Sequence, residues 1–440
     1  MRRDRFGRTG MLLSVIVLLA LFLRLIAFIE FRDDMNIRYD ARNYWIMSHQ
    51  MVEDGVYGYY YYDDTGNTVG GRPGEPNARV MPGYPVFLAL VYRILGDKYR
   101  QVTAVRLLQV VISSISCILA FHFVRKVFKK DGVALLTALF MAVYPTYIFM
   151  CINLLTETLA MFTFLLYLCL LVNAIGTRKT GLNILTGMAF GSHILVRPAL
   201  LPLFILPFVF FLIAYRMDKG PSHGETGLKT AGRLFALQLA GFVTIMLPWW
   251  IRNIVTLGAL KITADASGNP LLGGTYPYFV DYFRDVPPDI RGDNARQLEW
   301  GIKRMIEGFR TDPWLYLEWF TIGKTKYLFE TPYLLKMHGS TQKLHLLIHR
   351  IILASGVPGI ILHSAGNLRA LWFYLYGLAI LAIQLMFIPD PRFAFIMIFF
   401  LMTAASHFAV AVHEFVAGKE SAGAKLSLEK YSTGLKQQKG

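Results

Sequence analysis

A chain of 440 residues could make two or three soluble domains, but 55% hydrophobic residues against 17% charged, with a mean hydropathy of +0.43, exclude an ordinary soluble composition. The formal charge of +16 raises the question of nucleic acid. The cations fall mostly between long apolar runs, so they read as membrane-loop charge and no nucleic-acid partner is needed to explain them.

Taken in chain order, Arg2, Arg3, Arg5 and Arg8 precede the first apolar run, which is too long for a cleaved signal and lacks an A-x-A site. It reads as an uncleaved signal anchor. Further apolar runs, each near the length that crosses about 30 Å of hydrocarbon as a helix, give about ten spans. They are placed near 11–31, 101–124, 132–149, 154–175, 182–196, 199–215, 232–250, 344–363, 369–388 and 391–414. Arg125, Lys126, Lys129 and Lys130, then Arg178 and Lys179, then Arg216, Lys219, Lys229 and Arg233 fill gaps on one side. That bias makes their side, and the N-terminus, cytoplasmic. The fold class is therefore all-α: a polytopic transmembrane helical bundle over 1–416, followed by a cytoplasmic tail, 417–440, whose composition suggests disorder. The protein is expected in the bacterial plasma membrane.

Two extracytoplasmic segments, 32–100 and 251–343, are too long to be turns. In the first, 41–52 reads as a helix lying on the membrane surface, anchored by Tyr44, Trp45, Met47 and Met51. From Asp63 to Pro82 glycine and proline predict an ordered loop or lid. The apolar run 85–95 is too short to cross and reads as an interfacial or re-entrant helix, and 294–310 has helical spacing.

Cys117, Cys151 and Cys169 sit in or beside apolar runs, without ligand spacing, and read as small buried hydrophobes. Gly323-Lys324-Thr325 ends like a phosphate loop but lacks its first glycine and a preceding strand. No H-E-x-x-H, G-x-S-x-G or paired C-x-x-C occurs. What remains is a set of ionisable residues where spans meet the extracytoplasmic side, costly in a membrane and functional candidates by default. Asp40 opens the surface helix, where it could serve chemistry or simply cap the helix. Glu157, one turn into its expected span, needs a partner or an aqueous cavity, or else snorkels. Arg24, Arg197, Arg252 and Arg392 are expected near one membrane face, where converging guanidiniums suit a phosphate and single ones suit a carboxylate partner. His193 reads first as a structural hydrogen-bonding residue.

The motifs Tyr39-Asp40-Ala41-Arg42-Asn43-Tyr44 and Arg79-Val80-Met81-Pro82-Gly83-Tyr84-Pro85 resemble the opening of the GT-C membrane glycosyltransferases. Within that class the closest group is the dolichyl-phosphate-mannose protein mannosyltransferase-like one, which includes the bacterial aminoarabinose transferase. Gln109, Tyr144-Pro145, Leu154-Leu155-Thr156-Glu157, Arg197-Pro198 and Pro248-Trp249-Trp250-Ile251-Arg252-Asn253 continue the resemblance in order. It implies sugar transfer from a polyprenyl-phosphate-linked donor to an acceptor on the extracytoplasmic face, with inversion. It also implies Asp40 as general base, and Arg79, Glu157, Arg197, Arg252, Arg392, Glu75 and Tyr84 around the donor phosphate and sugar. Many relatives carry an acidic residue directly after this aspartate, whereas here Ala41 follows. The acidic pair for a metal site is thus missing, Glu75 is the one nearby substitute, and a divalent metal is the only cofactor left open.

Three other classes compete. A lipid-linked-sugar transporter or flippase should show hydropathy symmetry between halves, and none is visible. A polysaccharide polymerase or ligase would place its essential residues in 251–343. A membrane scaffold would leave Glu157 and the arginines without a role.

Overall fold

The structure, a computed structural model, describes residues 2–33, 37, 39–62, 68–209, 213, 224–265, 268–291, 293–333, 340–365 and 367–437. Among the described residues six helices are long and apolar enough to cross a membrane: Gly7–Glu30, Arg100–Phe128, Glu157–Thr177, Leu228–Leu257, Gln342–Ser364 and Pro391–Gly418. Four shorter apolar helices, Asp131–Val143, Thr180–Val196, Pro198–Val209 and Leu368–Gln384, occupy the remaining stretches that hydropathy marks as spans. The all-α polytopic bundle is borne out; of the roughly ten stretches expected as spans, six hold full-length helices and four hold short ones among the described residues. Among the described residues the only strands are Tyr61–Tyr62 and Thr68–Val69, an antiparallel pair in the first long loop. The last helix continues to Gln437, past the point where composition suggests disorder.

Proline explains the short helices. The stretch expected as one span over 132–149 is cut at Tyr144, whose backbone is extended (φ −71°, ψ 124°) because it precedes Pro145. Arg197, before Pro198, is extended in the same way at the end of Thr180–Val196. Asp390, before Pro391, repeats the pattern. A non-helical link, Cys151–Thr156, then starts the next helix at Glu157, so this glutamate is the first residue of its helix and not a turn inside it.

Packing follows the rules for helices in lipid, where close approach and polar contacts replace the hydrophobic drive between helices. Thr180–Val196 crosses Gly224–Leu257 where a Cβ on Gly187 would collide with the Gln238 carbonyl and one on Gly241 with that of Ile184. Beside the crossing, buried Gln238 donates to Asn183 at 3.1 Å. The apolar core runs through Phe164, Phe190, Tyr376, Phe399 and Phe400.

The helix Asp40–Glu53 buries Ala41, Met47, Ser48, His49 and Gln50. It packs on Gly83–Leu95, with Tyr44 edge-on to Tyr84 at 5.2 Å. Its apolar face therefore meets protein, and the surface-anchor role expected for Tyr44 and Met47 gives way to packing. The two long loops join where Asp265 N–H donates to the Ala78 carbonyl at 2.8 Å.

Candidate active site

Two of the X-Pro breaks flank the charged residues: Arg197 ends the helix Thr180–Val196, and Asp390 precedes the 3-10 turn Pro391–Ala394 that carries Arg392. Helix Asp40–Glu53 begins after Tyr39, held at φ 51°, and no side-chain cap bond forms there. The Asp40 carboxylate turns instead to the bundle, where its Oδ2 accepts from Arg392 Nη2 at 2.6 Å. Arg392 is itself fixed by Asp390, whose Oδ1 accepts the Arg392 backbone N–H at 2.8 Å. Its Nε lies 3.3 Å from Glu157 Oε1, within ion-pair range but without hydrogen-bond alignment. The same Glu157 oxygen accepts from Arg197 Nη1 at 2.9 Å.

Asp40, Arg392, Glu157 and Arg197 thus form one chain of alternating charge, from a carboxylate 43% exposed to one 1% exposed. A nearly dry carboxylate is tolerable here because two guanidiniums face it and the helix start at Glu157 presents its positive end. Arg24 is wholly buried and bonded to Ser113 and the Ala20, Met141 and Ala142 carbonyls. It meets Glu157 only across a small cavity that both line. Asp40 Oδ1 accepts no hydrogen bond among the described residues.

The other expected residues hold this arrangement or flank it. Tyr84 donates to Gln109 Oε1 at 2.8 Å, and Gln109 donates to the Cys151 and Asn153 carbonyls at 3.0 and 2.7 Å, fixing the link that ends at Glu157. Gly83 allows the first-loop motif to touch the end of helix Thr180–Val196, next to Arg197: a Cβ there would lie 2.7 Å from the Leu195 carbonyl oxygen. Arg252 donates to the Tyr57 and Asn77 carbonyls at 2.5 and 3.0 Å, so it ties the loop to the bundle and stands apart from the charged chain. Arg79 lies over the Tyr59 ring at 4.3 Å and Arg42 over Tyr61 at 4.4 Å. Neither has a carboxylate partner among the described residues. Tyr59 donates to Asn43 Oδ1 at 2.5 Å, which brings Arg79 to the helix of Asp40. Glu75 is exposed and 3.6 Å from Arg72, outside this group. His193 shares a buried hydrogen bond with the Ala160 carbonyl at 3.0 Å, the structural role its sequence position suggests.

Two tyrosines at the site are not among the expected site residues, although Tyr44 closes the first motif. Burial pushes the Tyr44 phenol up, with the Asp40 and Glu157 carboxylates adding to the shift. The Tyr333 phenol is raised by burial too, and it feels Arg392, Glu157, Asp390 and Asp40. Both stay protonated and able to donate. The i,i+4 spacing of Asp40 and Tyr44 on one helix was a usable signal; nothing in the sequence around Tyr333 was.

Among the described residues no three of His, Cys, Asp and Glu converge as metal ligands. The two nearest carboxylates, Asp40 and Glu157, are bridged by a guanidinium, so the donors present do not fit a metal ion.

Residues 75–249 match the family model described as dolichyl-phosphate-mannose-protein mannosyltransferase. No curated protein sequence matches the chain. In fold it is similar to the oligosaccharyltransferase of Archaeoglobus fulgidus in the apo form, with 13% identity and a TM-score of 0.54 over 95% of this chain and 52% of that one. The same holds for the archaeal oligosaccharyltransferase AglB solved with an inhibitory peptide and a dolichol-phosphate, at 12% identity and a TM-score of 0.53 over 95% and 52%. A third form of the Archaeoglobus fulgidus enzyme, with Zn and sulfate, matches at 13% and 0.54 over 94% and 50%. The chain spans about half the length of these structures. By the motifs of residues 75–249 and by its fold, the chain resembles the GT-C membrane glycosyltransferases of the dolichyl-phosphate-mannose-protein mannosyltransferase type.

Proposed function

We propose that the protein is an inverting glycosyltransferase that moves a sugar from a polyprenyl-phosphate-linked donor to a lipid, glycan or protein acceptor on the extracytoplasmic face. The observation that carries this reading is the Asp40 carboxylate, bonded through one oxygen to Arg392, its second oxygen without a hydrogen bond among the described residues. That oxygen takes the proton of an acceptor hydroxyl as the hydroxyl oxygen attacks the anomeric carbon. The bond from that carbon to the carrier phosphate breaks on the opposite side, so configuration inverts and the phosphate leaves with the bonding pair.

The leaving phosphate needs cations not already matched by carboxylates. Asp40, Arg392, Glu157 and Arg197 carry two charges of each sign and are balanced among themselves. Arg79, lying against Tyr59 without a carboxylate, is the guanidinium best suited to the phosphate. Arg392 and Arg197 orient the base and supply spare N–H donors, while Arg252 and Tyr84 position the loop and the Glu157 link. Glu75, on the loop surface, is left for the sugar.

The test uses purified protein, a polyprenyl-phosphate sugar and the acceptor identified by mass spectrometry of surface glycans and lipids in a deletion strain. Asp40→Asn keeps size and removes the base, so transfer should fall by roughly 10²–10⁴-fold with membrane insertion unchanged. Transfer at the parental rate in that variant would sink the reading. The same glycan comparison decides between a hexose and a pentose.

A further inference from the structure

Helix Glu157–Thr177, 21 residues long, starts at the buried carboxylate and ends about 30 Å away at the usual rise per residue. At that far end a cavity of about 430 Å³ opens between it and the helices Lys98–Phe128 and Leu368–Gln384. Leu168, Leu171 and Phe373 are among its apolar walls. Lys126, Lys129, Arg178 and Arg369 stand on its lining, all exposed, and no carboxylate among the described residues lines it with them.

Neighbouring cations are treated differently. Arg125 is held by Asp131 at 2.8 Å and Lys130 by Glu414 at 3.1 Å. Lys126, Lys129 and Arg369 have no carboxylate partner among the described residues. Like charges gathered at the mouth of an apolar cavity repel one another, and a bound anion relieves that repulsion. An anion with an apolar tail satisfies both the rim and the walls.

We propose that this cavity binds an anionic phospholipid of the leaflet opposite the Asp40 face. The headgroup phosphate sits among Lys126, Lys129 and Arg369, and the acyl chains lie along Leu168, Leu171 and Phe373. The cation bias of the loops makes this the cytoplasmic leaflet, whose acidic lipids are the abundant source of such a ligand. The site is independent of the sugar-transfer reading.

The test is native mass spectrometry of the purified full chain taken up in phosphatidylglycerol or phosphatidylcholine micelles. Phosphatidylglycerol should stay bound and phosphatidylcholine should not. In the triple variant Lys126→Gln, Lys129→Gln, Arg369→Gln, retention should drop about tenfold or more. Gly176→Phe leaves every charge in place and puts a ring at the cavity lining, where an added Cβ meets nothing within 4 Å. It should cause a similar loss. Equal retention of both lipids, or parental retention in either variant, overturns the proposal. Displacement of the lipid by inorganic phosphate overturns it too, since it would mark a free-anion site.

Discussion

At the scale of single residues, the balance of the charged chain decides what each substitution does. Glu157 is 1% exposed and serves two arginines through one oxygen, so removing it leaves Arg197 with no carboxylate among the described residues and Arg392 with Asp40 alone, at about 3–5 kcal/mol. Glu157→Gln and Arg392→Gln should each lower the melting temperature in detergent, while the double variant should lose less than the two losses added. A simple sum would show that the two side chains are not coupled. Lys324 gives a different signal. It is buried against Phe320, donates to the Leu385 carbonyl at 2.6 Å, and burial pushes its pKa down to about 7 from 10.5. The unfolded chain therefore binds the extra proton between those values, and stability should rise with pH from about 7 to 10.5 and fall as pH drops toward 7. Melting curves of Lys324→Met across that window should be flatter than those of the parent. The pairing of Arg392 with Asp40 spans 352 positions, and no local pattern announces it; each residue could be picked as a candidate from the sequence, but not that the two touch.

At the scale of elements, the chain shows why some boundaries could be read and others not. Long apolar runs between cations gave the six full helices because length and hydropathy are properties of the run itself. The break at Tyr144 was readable from Pro145 but lay inside a run apolar enough to look continuous. The π-turn Trp319–Gly323 has no residue pattern that forecasts it. Gly83 shows how a motif does its work: it lets the first loop lie on the Leu195 carbonyl next to Arg197. Gly83→Ala should weaken sugar transfer by displacing Arg197 while the helix Gly83–Leu95, in which alanine is favourable, still forms. Transfer kinetics beside circular dichroism would separate the two effects, and unchanged kinetics would remove Gly83 from the site.

At the scale of the whole molecule, the charged chain and the lipid cavity lie at opposite ends of Glu157–Thr177, and the fold differs between those ends. Beside the charged chain the backbone is extended before proline at Arg197 and Asp390, and Tyr144 breaks a third apolar run in the same way. Toward the cavity no such interruption occurs in the helices that line it among the described residues. Backbone amides just past an interruption lack the protection of a continuous helical ladder. Hydrogen–deuterium exchange should therefore be lopsided, with Asn153–Thr156 and the residues after Arg197 exchanging well before Leu168–Ala174 of the adjoining helix. Equal protection at the two ends would show that the interruptions are rigid. Unequal protection would make the proline steps hinges, about which short segments can swing while every long helix keeps its hydrogen bonds.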